Sequence, residues 1–174
     1  VFVGNYVSHF DKFVIHTLTG CVSTPYTDLN GYVLNGFKRC FGLCNDCNLE
    51  QIDTVRLHLM KENPKALFLQ PENAIINGKS ILKFEDRFLS IFTDSKISIQ
   101  PVVIQVQRKL FDISIQTLNT NQLYNIFWYF VSPWTEYSVE FLTPRQIQDN
   151  VDYSHLRHDM LKALNLDDSD VDQK

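Results

Sequence analysis

The sequence has few of the features that would assign it to the cell exterior, to nucleic acid or to a bilayer span. Four cysteines stand among 174 residues and no N-x-S/T sequon occurs. Neither a disulfide framework nor glycosylation is indicated, and a reducing, cytosol-facing setting is favoured. Basic charge is in deficit, 16 Lys and Arg against 20 Asp and Glu for a net charge of −4, so nucleic-acid binding has no electrostatic support. No run approaches the roughly 20 apolar residues of a membrane-crossing helix, and no charged-then-apolar leader is present. Any membrane anchor is expected outside these residues. The first residue is Val1 rather than Met, which reads as a start inside a longer protein.

Metal chemistry is also thinly supported. Cys44 and Cys47 form a C-x2-C pair with Cys40 nearby and Cys21 apart, but a zinc site needs a second matched pair of Cys or His. The reading is therefore reduced, partly buried thiols and no metal.

What is present is an ordinary folding composition, 44% hydrophobic and 21% charged, in a length that suits one domain without internal repeats. Val1 to Gly4 reads as a strand entering a turn, and Phe10 to Leu18 has helical spacing. Tyr32 to Leu34 is a short strand candidate, and Asn48 is positioned to cap a helix that runs through Val55 and Leu59 and stops before Pro64. Ala66 to Leu69 is continuously apolar, as a strand buried on both faces of a parallel sheet would be. Gln100 to Val106 is β-branched and strand-like, Phe111 to Ile115 is a further strand candidate, Asn121 to Val131 is helical and Tyr137 to Leu142 is a late strand. Tyr153 to Leu164 reads as an amphipathic terminal helix. Strands alternating with helices imply an α/β domain with a mostly parallel sheet flanked by helices. The organisation expected is a domain over 1–144, a terminal helical segment over 145–166 and an acidic linker over 167–174.

Asn5-Tyr6-Val7-Ser8-His9-Phe10-Asp11 resembles the N-H-x4-D motif of the glycerophospholipid (lysophosphatidate) acyltransferases, with Tyr6 where that family has histidine. Gln70-Pro71-Glu72-Asn73, trailed by Asn77-Gly78-Lys79 and Leu82-Lys83-Phe84, resembles the family's F-P-E-G block with Asn73 in place of glycine. Pro101-Val102-Val103 falls where the family has a proline-containing strand, so the likeness runs from Val1 to about Leu142. Within the superfamily it is strongest to the branch on lipid droplets and the endoplasmic reticulum, whose acyltransferase-like domain precedes a ubiquitin-binding CUE domain. That likeness implies a membrane-inserted hairpin before these residues. It also implies an E2 ubiquitin-conjugating-enzyme contact and a link to ER-associated degradation (ERAD) machinery through segments after them.

In an active member, as the resemblance implies, the histidine takes the acceptor hydroxyl's proton and the aspartate orients it. Tyr6 is a poor substitute, because a phenol with a pKa near 10 stays protonated at neutral pH. His9 could only rescue the chemistry from a different direction; its bland reading is a turn histidine bonded to Asp11 or backbone. Asp11 reads either as a vestigial orienting group or as first-turn helix stabilisation. At the second block Asn73 and Ile75 replace the glycine and the basic residue of a phosphate site. Lys79 is either a phosphate contact or a solvated loop lysine, and Glu72 could bond the first motif's turn. Tyr124, Phe127, Trp128, Tyr129, Phe130 and Trp134 concentrate aromatics in what reads as one short helix. It is destined for the core or, through Trp128, Tyr129 and Trp134, for the membrane–water boundary.

The resulting expectation is a degenerate acyltransferase-like scaffold of a monotopic ER and lipid-droplet protein on the cytosolic face, without cofactor. The alternatives are an active enzyme using acyl-CoA as substrate and a non-catalytic lipid-binding module.

Overall fold

The computed structural model describes residues 1–8, 10–23, 52–72, 78, 80–84, 97–108, 131–132, 134–146 and 150–166. Three helices and six strands are found among them: β1 (Phe2–Gly4), α1 (Asp11–Thr19), β2 (Val22–Ser23), α2 (Ile52–Leu59), β3 (Leu67–Leu69), β4 (Ser98–Arg108), β5 (Thr135–Phe141), β6 (Arg145–Gln146) and α3 (Asn150–Ala163). The strand order is β2-β3-β1-β4-β5, with β6 also on β4. The first four strands are parallel, with Phe2 beside both Phe68 and Gln100, while β5 and β6 run antiparallel to β4. This is the expected α/β architecture with a mostly parallel sheet.

Period-two alternation divides the sheet's side chains between two faces. Leu67, Leu69, Ile99 and Val103 point into a cluster with Val3 and with Leu156, Met160 and Leu161 of α3. Phe68, Val102 and Ile104 point the other way and pack with Ile15 of α1 and Cys21. All three β3 residues are buried, which is why that stretch is apolar without alternation. Tyr153 of α3 and Leu164 just past its end join the first cluster as well, so α3 packs into this core.

Gly4 marks a tight crossing in the sheet. A Cβ there would lie 2.7 Å from Phe68 Cε2 and 3.3 Å from the Val102 carbonyl oxygen. α1 ends at Gly20, whose φ of +68° lets its N–H close on the His16 carbonyl oxygen at 2.8 Å.

Several expectations need adjustment. β2 and β6 were not foreseen, and at two residues each they are too short to leave a periodic signal. Trp134 does not belong to a helix: Val131 is helical, Ser132 before Pro133 is not, and Trp134 stands just ahead of β5. A residue before proline is steered away from helical geometry, which accounts for the stop. The stretches Tyr32 to Leu34, Phe111 to Ile115 and Asn121 to Phe130, and the cap Asn48, lie outside the described residues.

Candidate functional site

The two motifs meet at the carboxyl ends of β1 and β3, the end of an open parallel sheet where ligands commonly bind. Asn5 follows β1 directly and is fully buried. Its Nδ2 donates to the Ile104 carbonyl oxygen at 2.9 Å and its Oδ1 accepts the Ile104 N–H at 2.8 Å. The side-chain amide thus continues the β1–β4 ladder for one more rung.

Asp11 is fully buried and faces back onto the turn before α1. Its Oδ2 accepts the N–H groups of Val7 and Ser8 at 2.7 and 2.8 Å and, at 3.4 Å, Gln70 Nε2. Its Oδ1 accepts the Ser8 hydroxyl at 2.7 Å. Ser8 Oγ in turn accepts the Phe10 N–H at 3.1 Å and lies 2.7 Å from Tyr137 Oη on β5. With its own proton committed to Asp11, Ser8 can only accept from Tyr137. All three bonds of that hydroxyl are used, so it is a tie rather than a nucleophile. Burial pushes the Asp11 carboxyl up to about 6, against the pull of the Ser8 and Val7 donors and of Lys12. Lys12 is itself only 4% exposed. Burial pushes its ammonium down to about 7, and Asp11 opposes that shift.

Tyr6 is buried, and its backbone N–H donates to Glu72 Oε2 at 2.9 Å. Glu72 Oε1 accepts the Leu82 N–H at 3.1 Å, so one carboxylate joins the first motif to both halves of the second. Gln70 adds a parallel tie, Nε2 to the Asn5 carbonyl oxygen at 3.2 Å. Burial pushes the Glu72 carboxyl up to about 8; the Tyr6 and Leu82 amides lower it, Asp11 raises it further and Arg157 lowers it. Arg157, on α3, donates to the Ile81 carbonyl oxygen at 3.0 Å.

The structure therefore brings Asn5, Tyr6, Asp11 and Glu72 together, with Pro71 buried beside them. His9, Asn73, Lys79, Trp128 and Tyr129 lie outside the described residues. Trp134 is 61% exposed. Cys21 is a buried free thiol, Cys40, Cys44 and Cys47 fall outside the description, and no cluster of three metal-ligating side chains occurs among the described residues. No described helix is long and apolar enough to cross a membrane.

Sequence reasoning missed Ser8, Lys12, Gln70, Tyr137 and Arg157. Only Ser8 had a readable signal, its three-residue spacing from an acidic residue ahead of a helix; in the structure that pair ties the turn in front of the Phe10 N-cap. Chemically the site is a bonded turn. Three of the donors around the Asp11 carboxylate converge on Oδ2 and one reaches Oδ1.

No family model matches the chain. It is 30% identical over 152 residues to the "Lipid droplet-regulating VLDL assembly factor AUP1" of Danio rerio, covering 86% of this chain and 34% of that protein. The Mus musculus protein of the same name is 27% identical over 173 residues, 95% of this chain and 40% of that protein. A Caenorhabditis elegans homolog of that factor is 24% identical over 155 residues, 86% of this chain and 38% of its length. The chain thus spans about two fifths or less of the curated relatives it matches. In structure it resembles the 1-acyl-sn-glycerophosphate (LPA) acyltransferase PlsC of Thermotoga maritima. The TM-score is 0.61 at 14% identity, covering 94% of this chain and 64% of that one. That likeness shows the fold.

Proposed function

We propose, for a chain that is a homologue of the lipid droplet-regulating AUP1 factors and has an acyltransferase-like fold, that it is a non-catalytic scaffold domain working at a lipid-droplet surface. The observation that carries this reading is the Asp11 carboxylate. Its oxygens are taken up by Val7, Ser8 and Gln70, and the position before it that a base would occupy in the family holds buried Tyr6. The motif has become a structural knot. The finer location, the cytosolic face of the endoplasmic reticulum, and the partners, an E2 ubiquitin-conjugating enzyme and ERAD machinery reached through regions outside this chain, belong to the same proposal. Trp134, with Trp128 and Tyr129, is assigned to contact with the lipid surface.

The test is acyl transfer from acyl-CoA to lysophosphatidate by the full-length protein, which should not exceed that of a Tyr6→Ala control. Turnover that vanishes in His9→Ala yet persists in Tyr6→Ala would promote the rival enzyme reading. Tyr6→His alone should not restore activity, because Asp11 is already engaged by the turn. Recovery of a substantial rate by that one substitution would show that the carboxylate can be recruited and sink the scaffold reading.

A further inference from the structure

The Ile81 carbonyl and the Leu82 N–H belong to one peptide group, and that group is gripped at both ends. Arg157 of α3 donates to its oxygen at 3.0 Å, and Glu72 accepts from its nitrogen at 3.1 Å. A cation at the oxygen end and an anion at the nitrogen end both align with the peptide dipole, so each strengthens the other's bond. The other Glu72 oxygen accepts the Tyr6 N–H at 2.9 Å. Phe84 adds a packing contact from the same segment to α3, its ring centroid 5.3 Å from that of Tyr153.

A carboxylate can accept at both oxygens, whereas a carboxylic acid turns one of them into an O–H donor. With an N–H group aimed at each oxygen, protonated Glu72 accepts more weakly at the oxygen that carries the proton, and the bond facing that oxygen is weakened. We propose that the Ile81–Leu82 peptide is a charge-operated link, through which protonation of Glu72 loosens the turn at Tyr6 and the grip of Arg157 together. The motif turn and α3 then respond to pH as one unit.

The groups that bear on Glu72 come from each element around it. Asp11 of α1 is a like charge, Lys12 lies beside Asp11, the Tyr6 and Leu82 amides are donors, and Arg157 is the opposing cation. Burial outweighs the donors, so the change of charge falls near neutrality rather than in acid. The sign is distinctive. A carboxyl raised from 4.5 to about 8 on folding stabilises the fold below its unfolded value, and that stability is lost as pH rises through 8. Over that same interval the link should tighten, because the Tyr6 and Leu82 bonds favour the ionised form and the loosened state gives up those bonds while Glu72 stays buried, so global stability and local protection move in opposite directions.

Native-state hydrogen exchange of the full-length protein from pH 6 to 9, corrected for intrinsic rates, reads this directly. Protection of the Tyr6 and Leu82 amides should rise by on the order of tenfold across the range, with amides of α3 near Arg157 rising in step. Glu72→Gln should hold both sets low and independent of pH. Arg157→Gln should move the midpoint upward, and Arg157→Lys should hold it near the wild-type value. Protection that is flat with pH in the wild type would overturn the proposal, as would a midpoint unmoved by Arg157→Gln. Should Glu72→Gln fail to fold, the Arg157 series alone decides between these outcomes.

Discussion

The two flanks of the β1–β3 pair are held by opposite means. On the flank under α3, Leu67, Leu69, Leu156 and Met160 are fully or almost fully buried, and the contacts are apolar and undirected. At the carboxyl end, Asn5, Asp11, Lys12, Gln70 and Glu72 are just as buried but polar or ionisable, and Asn5, Asp11, Gln70 and Glu72 are tied by directed hydrogen bonds. Apolar packing tolerates exchange of one hydrocarbon shape for another of like volume. A buried carboxylate with counted donors does not, because each unmet N–H carries its own desolvation penalty. The turn is therefore the more specific part of the fold.

The largest effect should come from removing the carboxylate at the centre of that turn. Asp11→Ala leaves the Val7 and Ser8 N–H groups and the buried Lys12 ammonium without it, and should cost about 3–5 kcal/mol in urea denaturation. Met160→Ala, on the apolar flank, should cost about 2–5 kcal/mol. Size alone does not separate them, but pH does. Asp11 is raised from 3.8 to about 6 on folding, so its contribution is complete below pH 3.8 and declines as pH rises through 6. The penalty of Asp11→Asn should accordingly be larger at pH 4 than at pH 7, while that of Met160→Ala stays level. Parallel pH profiles for the two would erase the distinction drawn between the flanks.

Gly4 lies where the flanks meet, on β1 against Phe68. Gly4→Ala would put a methyl 2.7 Å from one ring carbon and 2.9 Å from the next, with the Val102 carbonyl oxygen at 3.3 Å closing the escape on the backbone side. The expected loss is about 1–3 kcal/mol, as for other overpacked sites. Phe68→Leu in the same chain should recover part of it, because the obstructing ring edge is gone. A recovery of nothing would mean that the backbone oxygen, not the ring, sets the limit.

How far the sequence foretold these flanks follows from the range of the contacts. The apolar flank was legible: Leu67-Phe68-Leu69 announces a strand buried on both faces, and the β-branched run in β4 announces its neighbour. Those signals are local and repeat along the chain. The polar turn was legible only as a motif. Its residue types pointed to Asn5, Asp11 and Glu72, but not to the partners that decide their roles, since Ile104 is 99 residues from Asn5 and Tyr137 is 129 from Ser8. Lys12 illustrates the difficulty, because a lysine beside an aspartate at a helix start reads as solvated and is in fact 4% exposed. Arg157 likewise reads as the polar stripe of an amphipathic helix, whereas the fold brings the Ile81 carbonyl within its reach from 76 residues away.

The smallest expected effect tests how far the turn's network extends across the sheet. Tyr137→Phe removes the hydroxyl that donates to Ser8 Oγ from β5 and leaves the ring in place against the cluster around Ile104. Ser8 keeps its bond to Asp11 and still accepts the Phe10 N–H, so the turn itself remains tied. Tyr137 is half-buried, which allows water to take over the vacated lone pair. The loss should therefore be about 0.5–1 kcal/mol, at the low end for a hydrogen bond between neutral groups. A second consequence follows from polarisation: without Tyr137 donating to it, the Ser8 hydroxyl is a weaker donor to Asp11, and the carboxyl should rise slightly further above its ordinary value. Carbon-13 titration of the Asp11 carboxyl in the two proteins measures that shift, and the urea midpoint measures the loss. A cost above about 2 kcal/mol would mean that β5 is a full wall of the turn, and the boundary between the two flanks would then have to be moved out to the edge of the sheet.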